Sequence, residues 1–209
     1  MNALAQLKEF DEASYGDRAA QYSQLHTYYD EKYKIGWFLM DGAPRPCFTP
    51  TLLNELSDYL TTVKVELDET NDQKYDYLVV GSKVDGVFNL GGDLDLFMSL
   101  IKDGNRDALL KYAVHCVDIL YANMFHFDAD VTTVSLIQGD ALGGGFEASL
   151  SSNLIIAERG VKMGLPEVIF NLFPGMGAYS ILSRKVGPAQ AEKMIMPGKL
   201  YTAEELYEM

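Results

Sequence analysis

Two glutamates and a run of three glycines are the residues of this chain whose types and spacing suit a chemical reaction. The glycine run at 143–145 follows a buried apolar strand and opens a helix, and Glu147 stands in the first turn of that helix. Glu167 comes 20 residues later along the chain. Because the first amides of a helix have no internal acceptor, and glycine lets a ligand approach them, this place favours a developing negative charge. Two carboxylates beside it would suit acid and base chemistry next to a carbonyl group.

Each of these features also has an ordinary structural interpretation. A carboxylate in the first turn of a helix, as at Glu147 or Glu167, interacts favourably with the helix dipole by about 0.3 to 1 kcal/mol. Clustered glycines at 143–145 also permit close packing of a helix on a strand, and the pair Gly91 and Gly92 is equally consistent with a turn. The combination of two carboxylates with a glycine run favours the catalytic interpretation over any one feature taken alone.

Composition and charge exclude several classes of function. The chain has 209 residues, 48% of them hydrophobic, which suffices for one folded domain with a sizeable core. With 30 acidic and 17 basic side chains the net charge is −13, which opposes non-specific binding to nucleic acid or an anionic membrane. The two cysteines and three histidines show no metal-binding spacing, so no metal is predicted. No signal peptide or membrane span is recognisable, and the sequence therefore predicts a soluble cytoplasmic protein.

Alternating strands and helices predict an α/β fold. Residues 1–20 are predicted to be an N-terminal arm, and residues 21–209 a single domain. Thr49 is the predicted N-cap of a helix that has Pro50 in its first position. The apolar stripe of a long helix at 107–127 is predicted to be core or a subunit contact. The further predicted elements are a hairpin between residues 24 and 40, strands at 77–81, 87–89, 131–137, 153–157 and 161–163, and helices at 94–101, from 144, at 189–196 and from 202.

Four sequence blocks stand in a characteristic order, namely FNLGGDL at 88–94, GDALGGGFE at 139–147, MGLPE at 163–167 and PGMGA at 174–178. In that order they resemble the crotonase (enoyl-CoA hydratase/isomerase) superfamily, over roughly residues 35–209. The resemblance implies a ClpP/crotonase-like fold built of stacked ββα units. Members of that superfamily normally continue with further C-terminal helices, so those helices are expected to be truncated in this chain.

The resemblance also implies roles for residues within these blocks. In that superfamily two main-chain N–H groups bind the thioester oxygen, and two carboxylates transfer the protons when water is added or removed. By position the N–H groups fall on Leu90 and Gly144, and the carboxylates on Glu147 and Glu167. The neighbouring glycines expected to contact the substrate are Gly91, Gly143 and Gly145. No cofactor is implied, because the thioester of acyl carrier protein (ACP) or coenzyme A is itself the substrate.

Within the superfamily the chain is most similar to the diffusible signal factor (DSF) synthases. The similarity covers the aromatic strand at 33–40, the loop at 42–46, the acidic helix start at Asp93 and Asp95, and the long helix. It implies an enzyme that dehydrates a 3-hydroxyacyl-ACP, hydrolyses the thioester and releases a cis-2-unsaturated fatty acid as a quorum-sensing signal. The alternatives are an enoyl-CoA hydratase acting on trans-2-enoyl-CoA, or a non-catalytic acyl-thioester-binding module. The resemblance further implies a homotrimer or a dimer of trimers, with a regulatory sensor protein among the expected partners.

Overall fold

The fold consists of two β-sheets with helices packed around them. The computed structural model describes residues 22–69 and 73–209, so the arm predicted at 1–20 lies outside the described residues. The strands are β1 (Leu25–Asp30), β2 (Ile35–Met40), β3 (Tyr77–Ser82), β4 (Val87–Asn89), β5 (Thr132–Ile137), β6 (Asp140–Leu142), β7 (Leu154–Ala157), β8 (Lys162–Gly164) and β9 (Leu200–Thr202). The helices are α1 (Pro50–Glu69), α2 (Leu94–Lys102), α3 (Arg106–Met124), α4 (Gly144–Leu150), α5 (Ala178–Val186), α6 (Pro188–Ile195) and α7 (Ala203–Tyr207). Within the ranges described, no helix combines the length and the apolar character needed to span a bilayer.

The strand order divides the chain between a larger and a smaller sheet. β1 and β2 form the predicted antiparallel hairpin, and parallel strands complete the larger sheet in the order β1-β2-β3-β5-β7. The smaller sheet has the order β4-β6-β8-β9 and is parallel apart from β9. From β3 to β8 successive strands therefore enter the larger and the smaller sheet in turn, and each such pair is followed by helical structure. This repetition is the stacked ββα arrangement that the sequence implies, and it confirms the α/β class.

The smaller sheet brings three distant loops to one edge. β4, β6 and β8 run parallel, so their carboxyl ends lie on the same side of the sheet. β4 leads to the glycine pair at 91–92, β6 leads to the glycine run at 143–145, and β8 leads to Glu167. Crevices at the carboxyl ends of parallel strands are frequent ligand sites in α/β proteins. The topology therefore assembles the residues that the sequence marks as chemically suitable.

Local sequence signals place α1 where it is predicted. The Thr49 Oγ1 accepts a hydrogen bond from the Leu52 N–H at 3.1 Å, and Pro50 is the first helical residue. A side-chain oxygen at this position satisfies one of the amides that the helix leaves without a partner. The helix buries Leu52, Leu53 and other apolar side chains in the main core.

The long helix α3 turns a different face inward from the one that its apolar stripe predicts. Leu110, Val114, Val117 and Tyr121 belong to that stripe and are exposed, so of the two predicted roles the core is excluded for them and a subunit contact stays a prediction. The buried side chains of α3 are Tyr112, Cys116, Ile119, Leu120 and Asn123. The Tyr112 hydroxyl bonds to the main chain of Phe48 and Asp93, beside the glycine pair, and the Asn123 Nδ2 donates to the Ser151 Oγ at the end of α4.

Candidate active site

The start of α4 is shaped by a glycine that no other residue replaces easily. Gly143 has φ +55°, in the left-handed region that favours glycine, and its N–H donates to the Gly164 carbonyl at 2.8 Å. A β-carbon added to Gly143 would lie 2.8 Å from the Glu167 Oε1. The absence of a side chain at Gly143 therefore makes room for the Glu167 carboxyl group directly beside the N-terminus of α4.

Gly145 has a packing role in the same turn. A β-carbon added there would collide with the main-chain carbonyl of Asn89, at the end of β4. The first turn of α4 therefore lies against the end of β4, which is the close helix–strand packing that the structural interpretation of the glycine run describes. Of the glycines expected to contact a substrate, Gly145 is accounted for by this packing.

The amide of Leu90 is not available as a substrate donor, so this part of the sequence prediction is wrong. The Leu90 N–H donates to the Pro46 carbonyl at 2.8 Å, and the Gly91 N–H donates to the Asn89 Oδ1 at 2.7 Å. The next amide along the chain is that of Gly92. Within residues 22–69 and 73–209, the Gly92 N–H has no hydrogen-bond acceptor, and the same holds for the predicted donor at Gly144.

Gly92 and Gly144 lie side by side across the gap between β4 and β6. A β-carbon added to Gly144 would lie 3.6 Å from the Gly92 nitrogen and 2.6 Å from the Met176 Sδ. Gly91, the third glycine of this contact, has φ +89°, and a β-carbon there would lie 2.8 Å from the Gly144 nitrogen. Two neighbouring amides without acceptors are suited to bind one developing negative charge. The sequence signal for Gly92 is the second glycine of the pair, immediately before the Asp93 cap of α2.

Glu147 is a buried carboxyl group held by two main-chain amides. Only 1% of its surface is exposed, and its Oε1 accepts hydrogen bonds from the N–H groups of Met176 at 2.8 Å and Ala178 at 2.9 Å. The pKa of Glu147 is raised to about 7, chiefly by burial; the nearby charge of Glu167 also raises it, and the two amides oppose the rise. A carboxyl group with this pKa exchanges protons readily near neutral pH.

Glu167 is the second carboxyl group of the site, and one of its oxygens is free. It lies in a short 3₁₀ helix at Pro166–Phe170 and is 9% exposed. Burial raises its pKa. Its Oε2 is buried and has no hydrogen-bond partner in the described part of the chain. Because a buried polar atom without a partner is costly, this oxygen is suited to a group that a ligand brings.

Taken together, these groups suit proton transfer beside a polarised carbonyl. The structure brings Glu147, Glu167, Gly144 and Gly143 together, and it leaves the amide of Gly92 free where the sequence predicts that of Leu90. Within the residues described, no group of three His, Cys, Asp or Glu side chains is placed to hold a metal ion. A separate cavity of about 690 Å³ has Phe146 among its lining residues, but neither Glu147 nor Glu167 lines it. The groups suited to proton transfer therefore lie at the edge of the smaller sheet.

Comparison with known proteins adds a family description to this geometry. The family model described as enoyl-CoA hydratase/isomerase matches residues 43–209. The fatty acid oxidation complex subunit alpha of Idiomarina loihiensis is 34% identical over 153 residues, which are 73% of this chain and 20% of that protein. The peroxisomal fatty acid beta-oxidation multifunctional protein AIM1 of Arabidopsis thaliana is 29% identical over 144 residues, 69% of this chain and 19% of that protein. The chain thus spans about a fifth of the length of these relatives.

Solved structures share the fold of this chain. DspI of Pseudomonas aeruginosa superposes with a TM-score of 0.77 at 24% identity, covering 94% of this chain and 73% of that one. The enoyl-CoA hydratase of Bacillus anthracis superposes with a TM-score of 0.78 at 21% identity, covering 89% of this chain and 67% of that one. These similarities confirm the crotonase-like α/β fold.

Proposed function

The chain belongs to the enoyl-CoA hydratase/isomerase family, and from this premise we propose that it adds or removes water across the C2–C3 bond of an acyl thioester. The observation that carries the proposal is the meeting of two buried carboxyl groups with two unused amides at one edge of a sheet. Glu147 and Glu167 are separated from the Gly91–Gly92 segment by more than one strand and helix. The fold nevertheless brings them near it, because Gly144 contacts Gly91 and Gly92, Gly143 contacts Glu167, and the charge of Glu167 acts on Glu147. Such convergence is costly unless a ligand uses it.

The proposed reaction begins with binding of the thioester oxygen. In the dehydration direction this oxygen accepts hydrogen bonds from the N–H groups of Gly92 and Gly144, so negative charge on it is stabilised as the C2 proton leaves. One carboxylate of the Glu147 and Glu167 pair takes that proton. The other carboxyl group protonates the 3-hydroxyl, which departs as water while the C2–C3 double bond forms. Hydration is the same sequence in reverse.

A more specific proposal concerns the carrier of the acyl group and the hydrolysis of the thioester. We propose a 3-hydroxyacyl-ACP as substrate, followed by hydrolysis to a free cis-2-unsaturated acid, as in the DSF synthases that the sequence resembles. The free Oε2 of Glu167 supports this, since a carboxylate oxygen without a protein partner is suited to hold the water that attacks the thioester. An enoyl-CoA hydratase acting on trans-2-enoyl-CoA is the alternative that the family description supports equally.

Product analysis tests both levels of the proposal. The purified chain is incubated with a 3-hydroxyacyl-ACP and, separately, with a trans-2-enoyl-CoA, and all products are identified by mass spectrometry. Free unsaturated acid supports the DSF-type activity, whereas an unsaturated thioester alone supports a dehydratase without hydrolysis. Hydration of the enoyl-CoA alone supports the alternative. Binding of either thioester without turnover would overturn the enzyme proposal and leave an acyl-thioester-binding module.

Two glutamine variants connect any turnover to the site. Glu147→Gln and Glu167→Gln should each lower the rate by about two to four orders of magnitude, because each removes one partner of the proton transfer. Glu192→Gln, on the exposed side of α6, is the matched control and should retain wild-type turnover. Wild-type rates in both site variants would refute the assignment of the carboxyl groups.

Assembly and location belong to the same proposal. We propose a homotrimer or a dimer of trimers, which the family resemblance implies, and a location in the cytoplasm. The exposed apolar side chains on the outer face of α3, among them Leu110, Val114, Val117 and Tyr121, support contacts between subunits.

A further inference from the structure

The direction of the Gly92 N–H is set by the carbonyl that shares its peptide unit. That carbonyl, of Gly91, accepts a hydrogen bond from the Phe48 N–H at 2.7 Å. The peptide bond between Gly91 and Gly92 is trans, so its N–H points away from its C=O. A group that fixes the main chain at Phe48 therefore also fixes the direction in which the Gly92 N–H points.

The buried hydroxyl of Tyr112 bonds to both chain segments of the contact between Phe48 and the Gly91–Gly92 peptide. The Tyr112 hydroxyl donates to the Phe48 carbonyl at 2.6 Å and accepts from the Asp93 N–H at 3.0 Å. Phe48 and Gly92 form an isolated parallel bridge, in which the Phe48 carbonyl would ordinarily be the acceptor for the Asp93 N–H. In this protein the Tyr112 hydroxyl is within hydrogen-bonding distance of both groups. It therefore links the two chain segments on either side of the Gly92 amide.

Tyr112 is itself held in place on the inward face of α3. It is 7% exposed, and its ring meets the ring of Phe97 edge-on, with centroids 5.3 Å apart at 87°. The Phe97 ring also closes one side of Gly92, since a β-carbon added there would lie 3.1 Å from it. The Asp93 carboxylate accepts from the Leu96 N–H and from Arg45, which fixes the far side of the same segment.

We propose that Tyr112 is a positioning residue, whose hydroxyl aims the Gly92 N–H at the thioester oxygen. The inference rests on the proposed function, because it concerns the oxyanion donor of that reaction. Tyr112 does not transfer a proton in this account, since its hydrogen is engaged by the Phe48 carbonyl. Without the hydroxyl, the Phe48 carbonyl and the Asp93 N–H either lose their partner or pair directly, and either change moves the peptide unit that carries the donor.

Tyr112→Phe tests the proposal because it removes the hydroxyl and keeps the ring that packs on Phe97. We expect kcat to fall by about 10- to 100-fold with KM changed by less than about threefold, since misplacement of a donor by about 1 Å has effects of that order. The pH limits of activity should stay where they are, because the carboxyl groups are untouched. Tyr75→Phe is the matched control. It removes another buried tyrosine hydroxyl, one bonded to Glu66, and should leave kcat unchanged.

A spectroscopic measurement separates positioning from simple loss of stability. The probe is hexanoyl-CoA labelled with ¹³C at its carbonyl, which binds without an elimination to undergo, and its carbonyl stretch is recorded by difference infrared spectroscopy. Hydrogen bonds from the oxyanion donors lower this frequency in the wild type and in Tyr75→Phe. The lowering should be smaller in Tyr112→Phe. The frequency belongs to bound ligand alone, so it does not depend on the fraction of folded protein.

The outcomes separate this inference from the proposed function. An equal frequency in Tyr112→Phe and wild type, or an equal loss of kcat in Tyr75→Phe, would overturn the role of Tyr112 while the proposed function stands. Absence of both turnover and a carbonyl shift in the wild type would overturn the two together. Phe97→Leu serves as a second variant if Tyr112→Phe does not fold, because it loosens the Tyr112 ring and keeps the hydroxyl. It should reduce the carbonyl shift, and an unchanged shift would again overturn the inference.

Discussion

Replacing Glu147 by glutamine should stabilise the folded chain above neutral pH while it removes activity. The carboxyl group is almost fully buried, and its pKa is raised from 4.5 to about 7, with burial as the largest cause. Ionisation of Glu147, which the proposed chemistry requires, therefore destabilises the folded chain. Glutamine has nearly the same shape and carries no charge, and its Oε1 can still accept from the N–H groups of Met176 and Ala178.

The sign and size of this change in the free energy of unfolding follow from proton linkage. Below about pH 4.5 the Glu147 carboxyl group is protonated in both the folded and the unfolded chain. Between 4.5 and 7 the folded chain keeps a proton that the unfolded chain has lost, so the stability from this group is lost as the pH rises to and through about 7. The pKa difference of 7 − 4.5, about 2.5, corresponds to about 3 kcal/mol as an upper bound. The glutamine Nε2 needs an acceptor in the same buried place, so we expect a net gain of about 1 to 3 kcal/mol at pH 8.

Urea unfolding at pH 5, 6, 7 and 8 measures this effect, with the free energy of unfolding of the Glu147→Gln variant compared with that of the wild type at each pH. The difference should grow in favour of the variant as the pH rises from 5 to 8. Glu192→Gln on the exposed side of α6 removes a carboxylate without a burial cost and should give a small, constant difference. A wild-type-minus-variant difference that is the same at pH 5 and pH 8 would refute the reasoning.

Three further predictions concern the donors, the pH profile and the assembly. Gly144→Ala should lower kcat by about 10²- to 10³-fold, because the new β-carbon would lie 2.6 Å from the Met176 Sδ and 3.6 Å from the Gly92 nitrogen and so would disturb both proposed donors. Gly175→Ala, where a β-carbon would meet nothing closer than 3.9 Å, is its control, and equal kinetics in both would contradict the assignment. If the pair must hold one proton, kcat/KM should fall above about pH 7 as Glu147 ionises, and a profile flat from pH 6 to 9 would contradict this. Light scattering should give the mass of a trimer or of a dimer of trimers for the wild type and a smaller mass for Val114→Glu, whereas a monomeric wild type would contradict the proposed assembly.

Features that depend on neighbouring residues were predictable from the sequence. Thr202 and Glu205 form the capping box that opens α7, and Asp93 caps α2 by accepting from the Leu96 N–H. Glu147 and Glu167 lie near the starts of their helical segments for the same reason, since Gly143 adopts the positive φ that precedes α4 and Pro166 begins the 3₁₀ helix. Signals of this kind lie within one helical turn, so a single sequence contains them in full.

The identity of the second oxyanion donor was not predictable, because it depends on contacts that are distant in sequence. Leu90 and Gly92 are two residues apart, and both stand in a glycine-containing segment that lacks regular helix or strand. Leu90 is excluded because the Pro46 carbonyl, 44 positions earlier, accepts its N–H. Gly91 is excluded by the side chain of Asn89. Which amide remains free is thus decided by the packing of the loop at 46–48 against the end of β4.

A related cause explains why most of the apolar stripe of α3 lies outside the core of this chain. Hydrophobic periodicity selects the face with the most apolar side chains, and that face carries Leu110, Val114 and Val117, which are exposed. The inward face carries Tyr112 and Asn123, whose burial is compensated because the Tyr112 hydroxyl and the Asn123 Nδ2 each find a hydrogen-bond partner outside α3. A prediction from hydrophobic periodicity places such polar residues at the surface, because the pattern contains no information about their hydrogen-bond partners. A hydrophobic stripe therefore does not identify the inward face of α3, which lies towards the proposed site. The polar residues of that face, Tyr112 and Asn123, are the ones to test for a role in positioning.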